Sequence, residues 1–92
     1  MEVTFEVRRG LRPSLPADLV ETFKMDVWYD STVKRIKETV KQNKGIDVHN
    51  QRLFFGGVEL QDNRNTEYYS ILENSTVIIL VPLNFQYGGG AA

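Results

Sequence analysis

Cysteine is absent from the 92 residues, and histidine occurs once, as His49. Without thiols there can be no disulfide framework, no thiolate zinc site and no cysteine nucleophile, and a reducing compartment is allowed. A lone histidine in a polar stretch has no partner set for a metal, and it reads as a solvated loop residue. Charge of one sign is also lacking: 11 Lys plus Arg stand against 12 Asp plus Glu. Such a balance argues against a dedicated nucleic-acid binder, which is normally basic. Long apolar runs are missing too. The longest, Val77 to Val81, falls far short of the ~20 residues a membrane-spanning helix needs. Met1 is followed by acidic, alternating sequence and not by a basic and then apolar signal segment. No HExxH, no Ser/His/Asp set and no paired-carboxylate spacing occurs, so no catalytic residue, cofactor or metal is expected. A chain of this length can bury roughly 60–68% of its unfolded surface, enough for one core without staples.

What is present is alternation. Val3, Phe5 and Val7 alternate with Glu2, Thr4, Glu6 and Arg8, the period of a half-buried strand. From Gly10 to Leu19, Pro13 and Pro16 interrupt any ladder. Alternation resumes with Phe23, Met25 and Val27 inward, so the two runs predict a hairpin with a long tip. Arg8, Arg9 and Arg12 gather at that tip, close in sequence to Glu2, Glu6 and Glu21, which favours a solvated edge. Asp30, Ser31 and Thr32 then offer N-caps for a helix carrying Val33, Ile36 and Val40 on one stripe. Gly45 stops it after Lys41 and Lys44. Leu53 to Phe55 predicts a short strand, Gly56-Gly57 a turn, Val58 to Leu60 a shorter strand, and Thr76 to Val81 the last. Between them, Tyr68, Tyr69 and Ile71 belong to a compact turn. Strand, strand, helix, strand, short strand, strand is an α+β arrangement with one helix across a sheet.

In the last strand Val77, Ile79 and Val81 can face a core, which leaves Ile78 and Leu80 on the other face. The same parity sends Phe54 outward beside Leu53. One helix covers one face, so Phe54, Ile78 and Leu80 are expected to form an exposed apolar patch beside Gly57, the mark of a protein-binding site. The competing reading folds the long hairpin tip or Phe85 over them. Trp28-Tyr29, just before the helix, is a second candidate, with a structural role expected there.

The stretch from Thr22 to Val81 resembles ubiquitin. Thr32-Val33, Lys37, Lys44-Gly45-Ile46, Gln51-Arg52-Leu53, Phe55, Gly57, Leu60, Asp62, Arg64, Tyr69, Ile71 and Ser75-Thr76 carry the match in order, without a gap. Val3, Phe5 and Val7 resemble the inward residues of that family's first strand, with the hairpin tip lengthened here. The resemblance implies a ubiquitin-like β-grasp fold: a mixed sheet of four to five strands with one helix packed across one face. It implies a ubiquitin-like domain over 1–83 and a flexible, Gly-rich tail or linker over 84–92. Phe54, Gly57, Ile78 and Leu80 match the positions of ubiquitin's partner-binding surface, with bulkier groups.

For function the resemblance implies a non-catalytic interaction module, the N-terminal domain of a longer protein. It would dock ubiquitin-binding domains or the proteasome in the cytoplasm or nucleus, as a monomer without nucleic acid or membrane. The alternative is a modifier trimmed within Gly88-Gly89-Gly90, ahead of Ala91-Ala92, and attached to substrate lysines by conjugation machinery. Pro82 and Asn84 stand where ubiquitin has arginines used in activation, which favours the module. The two lysines ubiquitin uses most for chains are replaced by Val58 and Glu73, although Lys37 survives. A sulfur carrier ending in a thiocarboxylate shares the fold, but the body resembles ubiquitin instead.

Overall fold

The computed structural model describes residues 1–12 and 18–87. The alternating first run makes strand β1 (Glu2–Arg9), with Val3, Phe5 and Val7 buried. It pairs antiparallel with β2 (Leu19–Asp26), Val3 opposite Met25 and Phe5 opposite Phe23. The two phenylalanine rings stack with centroids 5.3 Å apart. A register shift between Val7 and Arg8 ends the regular ladder where the long tip begins.

Helix α1 (Val33–Lys44) starts at the third of the three candidate caps. Thr32 Oγ1 accepts the Arg35 N–H at 3.1 Å, satisfying one of the free donors of the first turn. Val33, Ile36 and Val40 form its buried stripe. Gly45 closes it in the left-handed region at φ 75°, its N–H bonded to the Lys41 carbonyl, while Lys41 and Lys44 place positive charge at the negative end of the helix dipole. Buried Gln51 then ties the helix end to the sheet by donating to the carbonyls of Lys37 (2.9 Å) and Ile46 (3.1 Å).

Strands β3 (Arg52–Phe55) and β4 (Val58–Glu59) meet across Gly56 and Gly57. Both glycines have positive φ, 60° and 81°, as a two-residue turn compatible with strand twist requires. Strand β5 (Thr76–Val81) inserts between β1, to which it is parallel, and β3, to which it is antiparallel. The sheet is mixed and five-stranded, in the order β2-β1-β5-β3-β4. Its inward residues join the α1 stripe, Ile46, Leu60 and Ile71 in one core. This is the expected α+β, ubiquitin-like β-grasp arrangement.

Residues 84–87 depart from the expectation of a tail with nothing to pack. A turn closed by the Phe85 N–H to the Pro82 carbonyl (3.0 Å) sends the chain back onto the helix side. Phe85 is buried in the main core, with Tyr87 packed edge-on to it at 5.3 Å. Arg9 Nε donates to the Phe85 carbonyl at 2.8 Å, and the Tyr87 hydroxyl donates to Glu21 Oε1 at 2.6 Å. Glu21 also pairs with Lys44 at the end of α1. Gly88, Gly89 and Gly90, where processing or conjugation would act, lie outside the described residues.

Candidate functional site

The sheet face away from α1 is built by strict parity. On β1 it carries Thr4, Glu6 and Arg8; on β5, Thr76, Ile78 and Leu80; on β3, Arg52 and Phe54. The registers align these in rows: Glu6, Ile78, Phe54 and Glu59 in one, Arg8, Leu80 and Arg52 in the next. Phe54, Ile78 and Leu80 therefore share the face that the sequence assigns them.

Their exposure differs from the expectation. Phe54 is 6% exposed and Leu80 1%, whereas Ile78 is half-buried and Gly57 is exposed. The physical reason lies in the arginines of these rows. Arg52 places its guanidinium 5.2 Å from the Phe54 ring centroid, a stacked cation over an aromatic face. It is held there by a two-pronged bond to Glu59 (3.1 and 2.9 Å) and by a bond of 3.1 Å to the Leu11 carbonyl in the hairpin tip. Leu80 sits between Arg8 and Arg52 as their cross-strand neighbour, and long arginine stems cover apolar surface readily. Arg8 is itself clamped to Glu6 by bonds of 3.0 and 2.9 Å. Phe85 does not take part, since it belongs to the core on the helix side.

What remains open is a cleft of about 600 Å³ lined by Glu6, Arg12, Phe54, Gly56, Gly57, Thr76 and Ile78. Ile78 and Phe54 are its apolar lining, the glycine turn contributes backbone, and its charges are one of each sign. The Arg52 hydrogen bonds hold the Glu59 carboxyl below the usual glutamate range, and the same pair raises Arg52, so both stay charged and the clamp persists at neutral pH. Of the predicted site residues, the structure brings together Phe54, Gly57 and Ile78 at the cleft and buries Leu80 in the row between Arg8 and Arg52. Glu6 and Thr76 could have been found from the same alternation that placed Ile78. The arrival of Arg12 at the cleft could not, because it depends on where a long tip bends.

Trp28 and Tyr29 are 81% and 66% exposed and do not join the core, against the structural role expected of them. Lys37 is no free amine: its Nζ lies 2.7 Å from Asp62 Oδ1, with the side chain 12% exposed. His49 is exposed and bonded to Asp47. Among the described residues no helix is long and apolar enough to cross a membrane.

The sequence model of the Ubiquitin family matches residues 17–83. The UV excision repair protein RAD23 homolog B of Homo sapiens is 36% identical over 64 residues, covering 66% of this chain. The chain spans only 16% of that relative's length. The Ubiquitin-like protein 1 of Schizosaccharomyces pombe is 39% identical over 57 residues, covering 62% of this chain and 72% of that protein. The Ubiquitin domain-containing protein DSK2 of Saccharomyces cerevisiae is 35% identical over 57 residues, 62% of this chain and 15% of that protein.

Proposed function

Since the chain belongs to the ubiquitin family, we propose that it acts as a non-catalytic ubiquitin-like interaction module. It docks ubiquitin-binding domains or the proteasome through the cleft of Phe54, Gly57 and Ile78, with Leu80 as its support. The observation that carries this reading is the cleft itself: apolar Ile78 and Phe54 at an opening in the sheet face away from the helix, beside the glycine turn and two opposite charges. An apolar lining of this kind gains from excluding water, and Glu6 and Arg12 can set register. Ile78 is the accessible anchor; Phe54 and the arginine clamps hold its surroundings rigid. The reading is tested by titrating the ¹⁵N-labelled chain with an isolated ubiquitin-associated helical domain. Amide shifts should centre on Gly57 and Ile78, and Ile78→Ala should weaken binding at least several-fold without loss of fold. Unchanged affinity in that variant rejects the reading.

The second reading, a covalent modifier, is favoured by the Gly88-Gly89-Gly90 run after the domain and by the likeness to Ubiquitin-like protein 1 over 72% of that protein's length. Against it, Phe85 and Tyr87 are docked just before the glycines. Incubation in cell extract should give a conjugate ladder, lost in Gly89→Ala, if this second reading holds.

A further inference from the structure

The loop between β2 and α1 displays two large aromatic side chains on a pinned backbone. Met1 and Val27 exchange backbone bonds of 2.9 and 2.8 Å immediately before Trp28. Immediately after Tyr29, the Asp30 N–H is held by Thr66 Oγ1 at 3.0 Å, and Ser31 accepts from the Thr66 N–H at 3.0 Å. Asp30 adopts φ 70°, unusual for a residue with a side chain, so the chain accepts local strain to keep this shape. Neither ring makes a ring contact among the described residues. Exposed aromatics on a preorganised loop contribute nothing to the core and are the residue types that anchor protein interfaces.

Charge decides what they can anchor. A depression of about 290 Å³ is lined by Met1, Asp26, Val27, Trp28 and Tyr29, so its one charged side chain is a carboxylate. Glu2 is the cross-strand neighbour of Asp26 and adds a second negative charge beside it. Neither Asp26 nor Asp30 enters an ion pair among the described residues. Three positive groups are near. The Met1 ammonium is bonded to the Val27 carbonyl, Lys24 stands two residues before Asp26 on the same face of β2, and Arg35 lines two neighbouring depressions, one with Trp28 and Tyr29 and one with Asp26 and Trp28.

We propose that the Trp28–Tyr29 corner is a second protein-docking surface, which takes an arginine or lysine side chain of a partner segment between the aromatic faces and the Asp26 carboxylate. An aromatic face and an unpaired carboxylate both favour a cation, and the surface shares no residue with the Phe54–Ile78 cleft. The corner can thus be engaged while the cleft is occupied.

Trp28 is the one tryptophan of the chain, so its fluorescence reports on this corner alone. The test titrates the whole chain at low salt with an acetylated tetra-arginine amide peptide, following Trp28 emission and ¹⁵N amide shifts. Saturable changes at Asp26, Trp28 and Tyr29 are expected, with affinity falling roughly tenfold in Asp26→Asn and in Trp28→Leu, and unchanged in Ile78→Ala. Both corner variants alter exposed side chains and should keep the wild-type amide spectrum elsewhere. Absence of saturable changes at the corner, equal binding of a tetra-glutamate peptide, shifts centred on the cleft, unchanged affinity in Trp28→Leu, or emission that changes with protein concentration alone would each overturn the proposal.

Discussion

Tyr87 and Glu21, 66 residues apart in sequence, are joined by a 2.6 Å hydrogen bond that fastens the segment after β5 to the edge strand β2. Glu21 lies opposite Val7 in the sheet register, on the helix side, and its other partner is Lys44 at the end of α1. One carboxylate therefore links the first hairpin, the helix and the C-terminal segment.

The Lys44 bond first, and the Tyr87 bond second, hold the Glu21 carboxyl below its ordinary range. In acid the unfolded chain consequently binds more protons at this position than the folded one. The stabilisation is complete above the ordinary glutamate range and is lost as pH falls through the depressed folded value. Burial, and then the bond to Glu21, push the Tyr87 hydroxyl above the ordinary tyrosine range. Its contribution is complete below that range and disappears only as pH rises through the raised value. In an absorbance titration one of the four tyrosines should ionise late, and Tyr87→Phe should remove that late step. In urea titrations, Glu21→Gln should flatten the acid side of the stability profile. Phe85→Ala, which empties a core site, should cost about 3 kcal/mol.

Burial of Phe54 reverses the outcome expected from an exposed anchor. Phe54→Ala should lower unfolding free energy by about 3 kcal/mol, because it leaves a cavity beneath Arg52. Ile78→Ala removes a half-buried group and should cost about 1 kcal/mol. Chemical denaturation of the two variants side by side measures the difference; equal costs would show that Arg52 does not seal Phe54.

Pairing with Asp62 and low exposure make Lys37 a poor nucleophile. Under limiting acetylating reagent, mass spectrometry should find Lys37 modified roughly tenfold more slowly than exposed Lys34, as a barrier difference of about 1.4 kcal/mol would give. Asp62→Asn should narrow that gap.

Much of this was legible from residue order alone. Alternation located Val3, Phe5 and Val7 and sorted Val77 and Ile79 from Ile78 and Leu80 correctly, since side-chain parity is a local property of a strand. Thr32, Ile36 and Gly45 announced the helix for the same reason. Exposure is not local. Leu80 is buried in a row between Arg8 and Arg52, neighbours it has only because β1 and β3 flank β5, and Arg52 stands over Phe54, bonded to Glu59 and the Leu11 carbonyl. The docking of Phe85 and Tyr87 was hidden for the same reason: their partners Arg9 and Glu21 are 76 and 66 positions away. An arginine registers in sequence as a charge, whereas in the fold the Arg52 guanidinium also lies over the Phe54 ring.

The parallel pair β1–β5 is the mechanical spine of the sheet, with β5 running on into the turn that returns Phe85 and Tyr87 to the helix side. Tension applied beyond Tyr87 meets that aromatic anchor before it loads the β5 ladder. A chain pulled from there should first release two rings and the hydrogen bonds to Arg9, Pro82 and Glu21, and only then shear the hydrogen bonds between β5 and its neighbours. The segment is thus placed as a mechanical fuse in series with the fold: its release should absorb extension before the face that carries the cleft is loaded.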